Sequence, residues 1–364
     1  AAAEREAAGG DVLHLEVGQP STGAPARVVA AAKAALESGK ALGYTLALGQ
    51  ERLRERIARH YADEYGAHVD AARVVVTIGS SGAFVLAFLA AFEAGDRVAL
   101  AAPGYPAYRN ILQALGVEVV SLPVGPETRF QPSPAMIEAL DAPLDGLILA
   151  SPSNPTGSML PPAEVAALAR LCHAKGIRLV SDEIYHGITY GESRAATAAG
   201  LSPSAIVVNS FSKYFSMTGW RLGWMVVPED LLRPIECLAQ NLFISPPTIS
   251  QMAAIEVFAC KDELDANVAR YAKNRDLLLD ALPQAGFDRL APADGAFYVY
   301  ADVSAMTNDS AAFCRRILAE TGVAITPGID FDPERGHRFV RFSFAGATKD
   351  MAEAARRLAV WTRR

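Results

Sequence analysis

Ser210-Phe211-Ser212-Lys213-Tyr214-Phe215-Ser216-Met217-Thr218-Gly219-Trp220-Arg221-Leu222-Gly223 sets a lysine between small hydroxyl residues, with an arginine eight positions further on. The run before it, Ala205-Ile206-Val207-Val208-Asn209, reads as a buried strand. Lys213 then falls in the loop just past the strand's carboxyl end, where open α/β sheets place their ligands. An amine is a poor nucleophile while protonated, and its reference pKa is about 10.4. Burial and a neighbouring cation favour the neutral form. Arg221 can supply that cation while binding a phosphate through its planar fork. Ser210 and Ser212 offer hydroxyl donors to the same anion. A lone Ser-x-Lys would equally suit a surface lysine in a serine-rich loop, so the arginine and the rest of the chain decide the reading.

Strand-like runs alternate with helical ones outward from this stretch. They are Val74-Val75-Val76, Val98-Ala99-Leu100, 117–120, Leu147-Ile148-Leu149, 177–180, Ile206-Val207-Val208 and 224–227. The alternation predicts an α/β domain on a largely parallel sheet. A short strand over 13–17 and helices over 25–38 and 50–64 precede it. From about Asp262 the pattern changes to a long charged helix over 263–282, a strand near 296–300, a helix near 311–320 and a strand over 339–343. That reads as a smaller α+β domain. No internal repeat, low-complexity tract or flexible linker is visible.

With 364 residues, 51% of them hydrophobic, the chain can bury a large core. A formal charge of −6 with no basic run argues against nucleic-acid binding. The longest apolar stretch, Phe84 to Phe92, is too short to span a bilayer. The opening Ala1-Ala2-Ala3-Glu4-Arg5-Glu6 lacks a basic region before an apolar one, so no signal peptide is expected, and the absence of an initial Met suits a trimmed chain. Cys172, Cys237, Cys260 and Cys314 are far apart and read as buried free thiols, with neither metal site nor disulfide framework expected. This suits a cytoplasmic protein.

Four further segments follow strands. Thr77-Ile78-Gly79-Ser80-Ser81-Gly82-Ala83 opens a helix whose free amides and dipole suit an anion; an ordinary strand-to-helix turn would look the same. Together with Arg221, Ser210 and Ser212 it completes a phosphate cup. A Schiff-base lysine needs a carbonyl, and a carbonyl carrying a phosphate points to pyridoxal phosphate. In Ser151-Pro152-Ser153-Asn154-Pro155-Thr156-Gly157, the Asn154 amide could hydrogen-bond a ring oxygen, although Asn-Pro and Thr-Gly also simply mark turns. In Ser181-Asp182-Glu183-Ile184-Tyr185, Asp182 is either a helix N-cap or the partner of a pyridinium nitrogen, which keeps the ring an electron sink. Tyr105, in Ala102-Pro103-Gly104-Tyr105, could stack on a flat cofactor or pack at a rim. Arg341 sits alone in the apolar strand Phe339-Val340-Arg341-Phe342-Ser343-Phe344, either in a salt bridge or as a bidentate carboxylate binder in a dry site.

Asn154-Pro-x-Gly, Asp182-x-x-Tyr185, Ser210-x-Ser-Lys213 and Arg221, in this order, resemble the class I aminotransferases of the fold-type I pyridoxal-phosphate enzymes, the aspartate aminotransferase superfamily. The resemblance runs from Gly18 to beyond Arg341. It implies a large cofactor domain over 40–270 with a mostly parallel seven-stranded sheet between helices, and a small domain made of 1–39 and 271–364. It implies that Lys213 is the Schiff-base lysine and proton shuttle, that Asp182 pairs with the pyridine nitrogen, and that Asn154 and Tyr185 hold the 3-oxygen. Gly79, Ser80, Ser81, Ser210, Ser212 and Arg221 would bind the phosphate and Tyr105 would stack on the ring. Arg341 would take the substrate α-carboxylate, with Asn154 and Gly18 nearby, Gly18 on a mobile N-terminal segment. Tyr44, in Tyr44-Thr-Leu-Ala-Leu-Gly49, matches a tyrosine that reaches the neighbouring subunit's phosphate, which implies a homodimer with shared active sites.

The activity so implied is ping-pong transfer of an amino group from an L-amino acid to a 2-oxo acid. A carbon–sulfur β-lyase would share every residue named. An aminotransferase-like regulatory binding protein is a remoter alternative, since only about forty residues precede Tyr44 and the chain is acidic. Dicarboxylate-specific members use an arginine shortly after a Pro-Pro turn. Here Ser245-Pro246-Pro247-Thr248 is not followed by one, and none lies between Arg233 and Arg270. Leu15, Val17, Tyr105 and Phe243 could form an apolar pocket. The expected donor is therefore neutral, apolar or aromatic, with glutamate and 2-oxoglutarate as a second pair.

Overall fold

Val74-Val75-Val76 and Leu147-Ile148-Leu149 are apolar at every position because both faces of their sheet are covered. In the computed structural model, which describes residues 1–192 and 194–363, Val74, Val76, Leu147 and Leu149 pack on one side of the sheet. Val75 and Ile148 pack on the other, as the two-residue period of a strand requires. The sheet has seven strands in the order Val74–Thr77, Gly223–Val226, Ile206–Ser210, Arg178–Asp182, Gly146–Ala150, Arg97–Ala102, Glu118–Pro123. Gly223–Val226 runs antiparallel to both neighbours, and the other adjacent pairs are parallel. This is the mostly parallel α/β sheet that the alternation predicts.

The helices Gly79–Ala91, Pro106–Ala114, Pro162–Lys175 and Glu229–Phe243 link or flank these strands. Lys261–Gln284 then leads to a second sheet, in which Tyr298–Asp302 pairs antiparallel with Phe339–Ser343. That sheet has its own core, including Leu278, Phe287, Phe297, Val299 and Phe342, closed by the helix Thr348–Thr362. Observed boundaries shift by a few residues from the sequence reading. The strand expected over 117–120 is Glu118–Pro123, and that expected near 296–300 is Tyr298–Asp302. The N-terminal strand expected over 13–17 shortens to Leu13–His14, paired with Val323–Ala324. Leu15 keeps backbone bonds to Ala324 and Ser343, and the chain then runs on to Gly18, whose carbonyl meets Lys213 at the large sheet's edge. No helix among the described residues is long and apolar enough to cross a membrane.

Topology puts the chemistry at one edge. Strands ending at Thr77, Ala102, Ala150, Asp182 and Ser210 open there, and the antiparallel strand begins there, with Gly223 opposite both Thr77 and Ser210. Trp224 anchors that antiparallel strand. It is wholly buried, donates Nε1–H to the Tyr61 hydroxyl at 3.0 Å, and packs on Phe211 with centroids 4.8 Å apart. Trp224→Ala should cost about 3–5 kcal/mol, as for other large buried aromatics. A thermal or urea midpoint within error of the parent would show that this strand is held by its ladder alone.

Candidate active site

The helix Gly79–Ala91 starts where the first strand of the sheet ends, so its free amides face the edge. Gly79 has φ of +64°, and a Cβ there would lie 2.5 Å from Arg221 Nη2. Only glycine fits both demands. Arg221 itself has φ of +52°, a left-handed conformation that turns its guanidinium back over the helix start. Its Nη1 donates to the Thr218 carbonyl at 3.1 Å, and Thr218 Oγ1 donates to the Ser212 carbonyl at 2.8 Å. Ser80, Ser81, Ser212, Thr218 and Arg221 line this end of a cavity of about 320 Å³. Ser210 is arranged differently from the sequence expectation. Its hydroxyl donates to the Leu222 carbonyl at 3.3 Å and accepts from the Ser212 amide at 3.0 Å, so it braces the loop rather than lining the cavity.

Lys213, Asp182 and Arg341 line the same cavity. Lys213 Nζ donates to the Gly18 carbonyl at 2.7 Å and lies 5.8 Å from the centre of the Tyr185 ring. Burial first, then the Arg341 cation, pull its pKa from the ordinary lysine value down to about 8. Asp182 is 3% exposed, and burial pushes it up to about 6, opposed by its hydrogen bonds. Its Oδ2 accepts from the Tyr108 hydroxyl, and its Oδ1 accepts from the Ile184 amide at 3.1 Å. The cap-like bond to Ile184 and an acid facing the cavity therefore coexist.

Arg341 is 6% exposed and enters from the small sheet. Its Nη1 donates to Asn154 Oδ1 at 2.9 Å, and its Nη2 donates to the Glu16 carbonyl at 2.6 Å. Its Nε has no partner. The guanidinium lies 4.4 Å from the centre of the Tyr298 ring. No carboxylate is within ion-pair distance of it among the described residues, so the salt-bridge alternative fails. The donor set suits a phosphorylated ring with an acid-binding neighbour. The serines, helix start and Arg221 form one end, buried Asp182 stands alone as the cavity's carboxylate, and Arg341 keeps an unused donor.

Gly18, Tyr105, Asn154 and Tyr185 also line the cavity. Tyr44 does not; it is 82% exposed on the surface. Of the four residues expected to form an apolar pocket, only Tyr105 lines it. Leu15 belongs to the small core, Val17 is exposed and Phe243 packs near Gly82. The sequence reading also missed Tyr108, Thr218 and Tyr298. The position of Tyr108 three residues after Tyr105, on the turn opening the helix Pro106–Ala114, is the one signal that could have pointed to it.

Similarity to known proteins covers nearly the whole chain. Residues 10–358 match the model of the family "Aminotransferase class I and II". A valine–pyruvate aminotransferase of Mycobacterium tuberculosis is 57% identical over 99% of this chain and 94% of its own length. An arginine–pyruvate transaminase of Pseudomonas aeruginosa is 34% identical over 97% of this chain and 90% of its own. The crystal structure of an aminotransferase from Mycobacterium tuberculosis superposes with a TM-score of 0.97 at 56% identity, covering 100% of this chain and 94% of that one.

Behind the Asp182–Tyr185 turn lies His186, 5% exposed. Its Nε2 meets the Ser151 carbonyl at 3.0 Å, so that nitrogen carries the proton, and Nδ1 accepts from the Tyr65 hydroxyl at 3.0 Å. Glu183 Oε2 is 3.5 Å from Nδ1, but burial pushes Glu183 up to about 8, so the two meet as neutral groups. Burial pulls His186 down to about 3. The unfolded chain therefore binds a proton at this histidine below its ordinary value of 6.5, while the folded chain does not until about 3. Stability from this group is full above pH 6.5 and is lost progressively as pH falls towards 3. Glu183 works the other way, losing its contribution as pH rises from about 4.5 to about 8. His186→Gln should flatten the fall in thermal midpoint between pH 6.5 and 4 (~2.5 units). An equally steep fall in the variant would remove His186 as its source.

Proposed function

The chain belongs to the aminotransferase class I and II family and is a transaminase acting between amino acids and 2-oxo acids, and from that premise we propose that it binds pyridoxal phosphate at Lys213 and takes a neutral, apolar or aromatic L-amino acid, with branched aliphatic donors and pyruvate as the first pair to try. The observation that carries this is Lys213. It is a half-buried lysine with a pKa near 8, between Arg341 and Asp182, in a cavity that ends in a helix start and an arginine. The relative named for valine and pyruvate supports the choice of substrates.

Ser80, Ser81, Ser212, Thr218 and Arg221 would hold the phosphate, Asp182 the ring nitrogen, Asn154 and Tyr185 the 3-oxygen, and Tyr105 a ring face. Pyridoxal phosphate supplies an electron sink for the bond broken at the substrate α-carbon. Arg341 would take the α-carboxylate with its fork, exchanging the Glu16 carbonyl for the substrate. Lys213 Nζ, once displaced by the substrate amine, would take the α-proton, and its lowered pKa leaves the needed neutral fraction near pH 8. Closing the segment Glu16 to Gly18 over the cavity would keep water from that proton.

The same proposal includes a homodimer and two domains. Gly43 and Thr45 are tied to Thr248 and Ser245 by hydrogen bonds of 2.6 and 3.3 Å. This gathers Tyr44, Leu46, Leu242 and Ile244, all at least half exposed, on one surface. Apolar clusters of that kind favour a partner surface. Separate cores on the two sheets support domains of 40–270 and of 1–39 with 271–364. Four free cysteines fit the cytoplasm.

Adding single amino acids to the cofactor-loaded protein, with no acceptor present, tests the reading. The visible absorbance should be lost with one equivalent of 2-oxo acid released, fastest with neutral donors. Steady release of pyruvate and ammonia would instead identify a lyase, and no absorbance after supplying pyridoxal phosphate would overturn the cofactor. Lys213→Ala should abolish multiple turnovers, so near-parental turnover would remove Lys213 from the chemistry. Arg341→Lys should raise KM by roughly tenfold or more, since a point charge lacks the paired donors and charged hydrogen bonds contribute about 1.5–3 kcal/mol. An unchanged KM would place the carboxylate elsewhere.

A further inference from the structure

Tyr298 begins the strand Tyr298–Asp302 and is 1% exposed, yet its hydroxyl reaches the cavity. Its Oη lies 2.8 Å from the Tyr185 Oη, and the two rings meet edge to face with centroids 5.7 Å apart. The other face of its environment is cationic, with the Arg341 guanidinium 4.4 Å from the ring centre. The position is tightly fixed. A Cβ on Gly18 would strike the Tyr298 hydroxyl, and the strand pairs Tyr298 with Ser343, two residues from Arg341.

Each phenol has one proton to give. Between two tyrosines that touch only each other, either can donate. Once Tyr185 gives its proton to a ring oxygen, its own oxygen can only accept from Tyr298. Tyr185 is the one hydrogen-bond partner of the Tyr298 hydroxyl among the described residues. The nearby Arg341 cation favours charge separation in the Tyr298 O–H bond and so strengthens it as a donor. Donors in series also reinforce one another.

We infer that Tyr298 is a positioning residue that donates its hydroxyl proton to Tyr185 Oη and thereby leaves the Tyr185 proton free for the 3-oxygen of bound pyridoxal phosphate. The inference rests on the proposed role of Tyr185. It adds a residue that touches neither phosphate nor substrate carboxylate and acts through its neighbour. Tyr298→Phe removes this donor while keeping the ring under Arg341.

The test is the pH midpoint of the visible absorbance of the cofactor-loaded protein, measured for the parent, Tyr298→Phe, Tyr185→Phe and the double variant. Weaker donation leaves more negative charge on the 3-oxygen, so the adjacent nitrogen linked to Lys213 holds its proton to higher pH. Tyr298→Phe should raise the midpoint by about 0.4–1 pH unit, the size of one neutral hydrogen bond. Tyr185→Phe should raise it further, the double variant should match Tyr185→Phe alone, and KM for the amino acid should stay at the parental value in Tyr298→Phe. A parental midpoint in Tyr298→Phe beside a shifted Tyr185→Phe would overturn the inference and leave Tyr185 in place. No shift in either variant would overturn both. A Tyr298→Phe shift that persists undiminished without the Tyr185 hydroxyl would mean that Tyr298 acts by another route, which also defeats the inference.

Discussion

Parallel strands joined by helices all end on the same side of their sheet, because each crossover returns the chain to the opposite side before the next strand begins. In this protein that rule brings the loops after Thr77, Ala102, Ala150, Asp182 and Ser210 to one edge. A purely parallel sheet would carry the segment after Lys213 away again. The antiparallel strand Gly223–Val226 prevents this, since it starts at the edge where Ile206–Ser210 stops. Lys213 and Arg221 therefore stay beside the helix start at Gly79. Trp224 and Gly223 serve that arrangement, one by filling the core and the other by allowing close approach. A Cβ on Gly223 would lie 2.9 Å from the Ser80 nitrogen.

The site concentrates three cations, Lys213, Arg221 and Arg341, around a single carboxylate, Asp182. Burial first, and then the two neighbouring arginines, raise the cost of charging Lys213, and its pKa falls to about 8. The fold surrounds Arg341 with oxygen acceptors from Asn154, Glu16 and Thr326 and with the faces of Tyr298 and Phe331. Two of the cations are thus held by backbone carbonyls of the N-terminal segment, Lys213 by Gly18 and Arg341 by Glu16. Neutral acceptors satisfy donors without cancelling charge, which leaves the positive potential available to an anion.

How much of this was legible in the sequence depended on how far apart the partners lie. Lys213, Ser212 and Arg221 fall within one loop, and the strand before them opens on the apolar run Ile206-Val207-Val208, so the edge could be read locally. Asp182 and Asn154 follow similar apolar runs and were readable for the same reason. Tyr108 and Tyr298 were not. Their partners, Asp182 and Tyr185, are 74 and 113 residues away, and Tyr298 sits in an apolar run that marks it as core. Ser210 has a spacing that suits a ligand contact, while its last strand position turns the hydroxyl onto the Leu222 carbonyl. The supposed apolar pocket failed because Leu15 is held in the small core by backbone bonds to Ala324 and Ser343, while Val17 lies beyond the regular strand and is exposed.

On the proposed reading, charge bookkeeping in the cavity also bears on the choice of donor. Arg221 is committed to a phosphate, Arg341 to the α-carboxylate, Lys213 to the cofactor and Asp182 to the ring nitrogen. Among the lining residues no cation is left for a second carboxylate and no anion for a second amine. An ionised side chain would then leave water for the cavity without a counter-charge, and an unpaired charge taken out of water costs several kcal/mol. Burying a branched aliphatic group instead gains about 1.5–3 kcal/mol. The difference favours neutral donors without any dedicated apolar wall. A site edged by Tyr105, Tyr185 and Tyr298 then need not be greasy to prefer them, because phenol rings pack against a hydrocarbon while the Tyr298 hydroxyl is taken up by Tyr185.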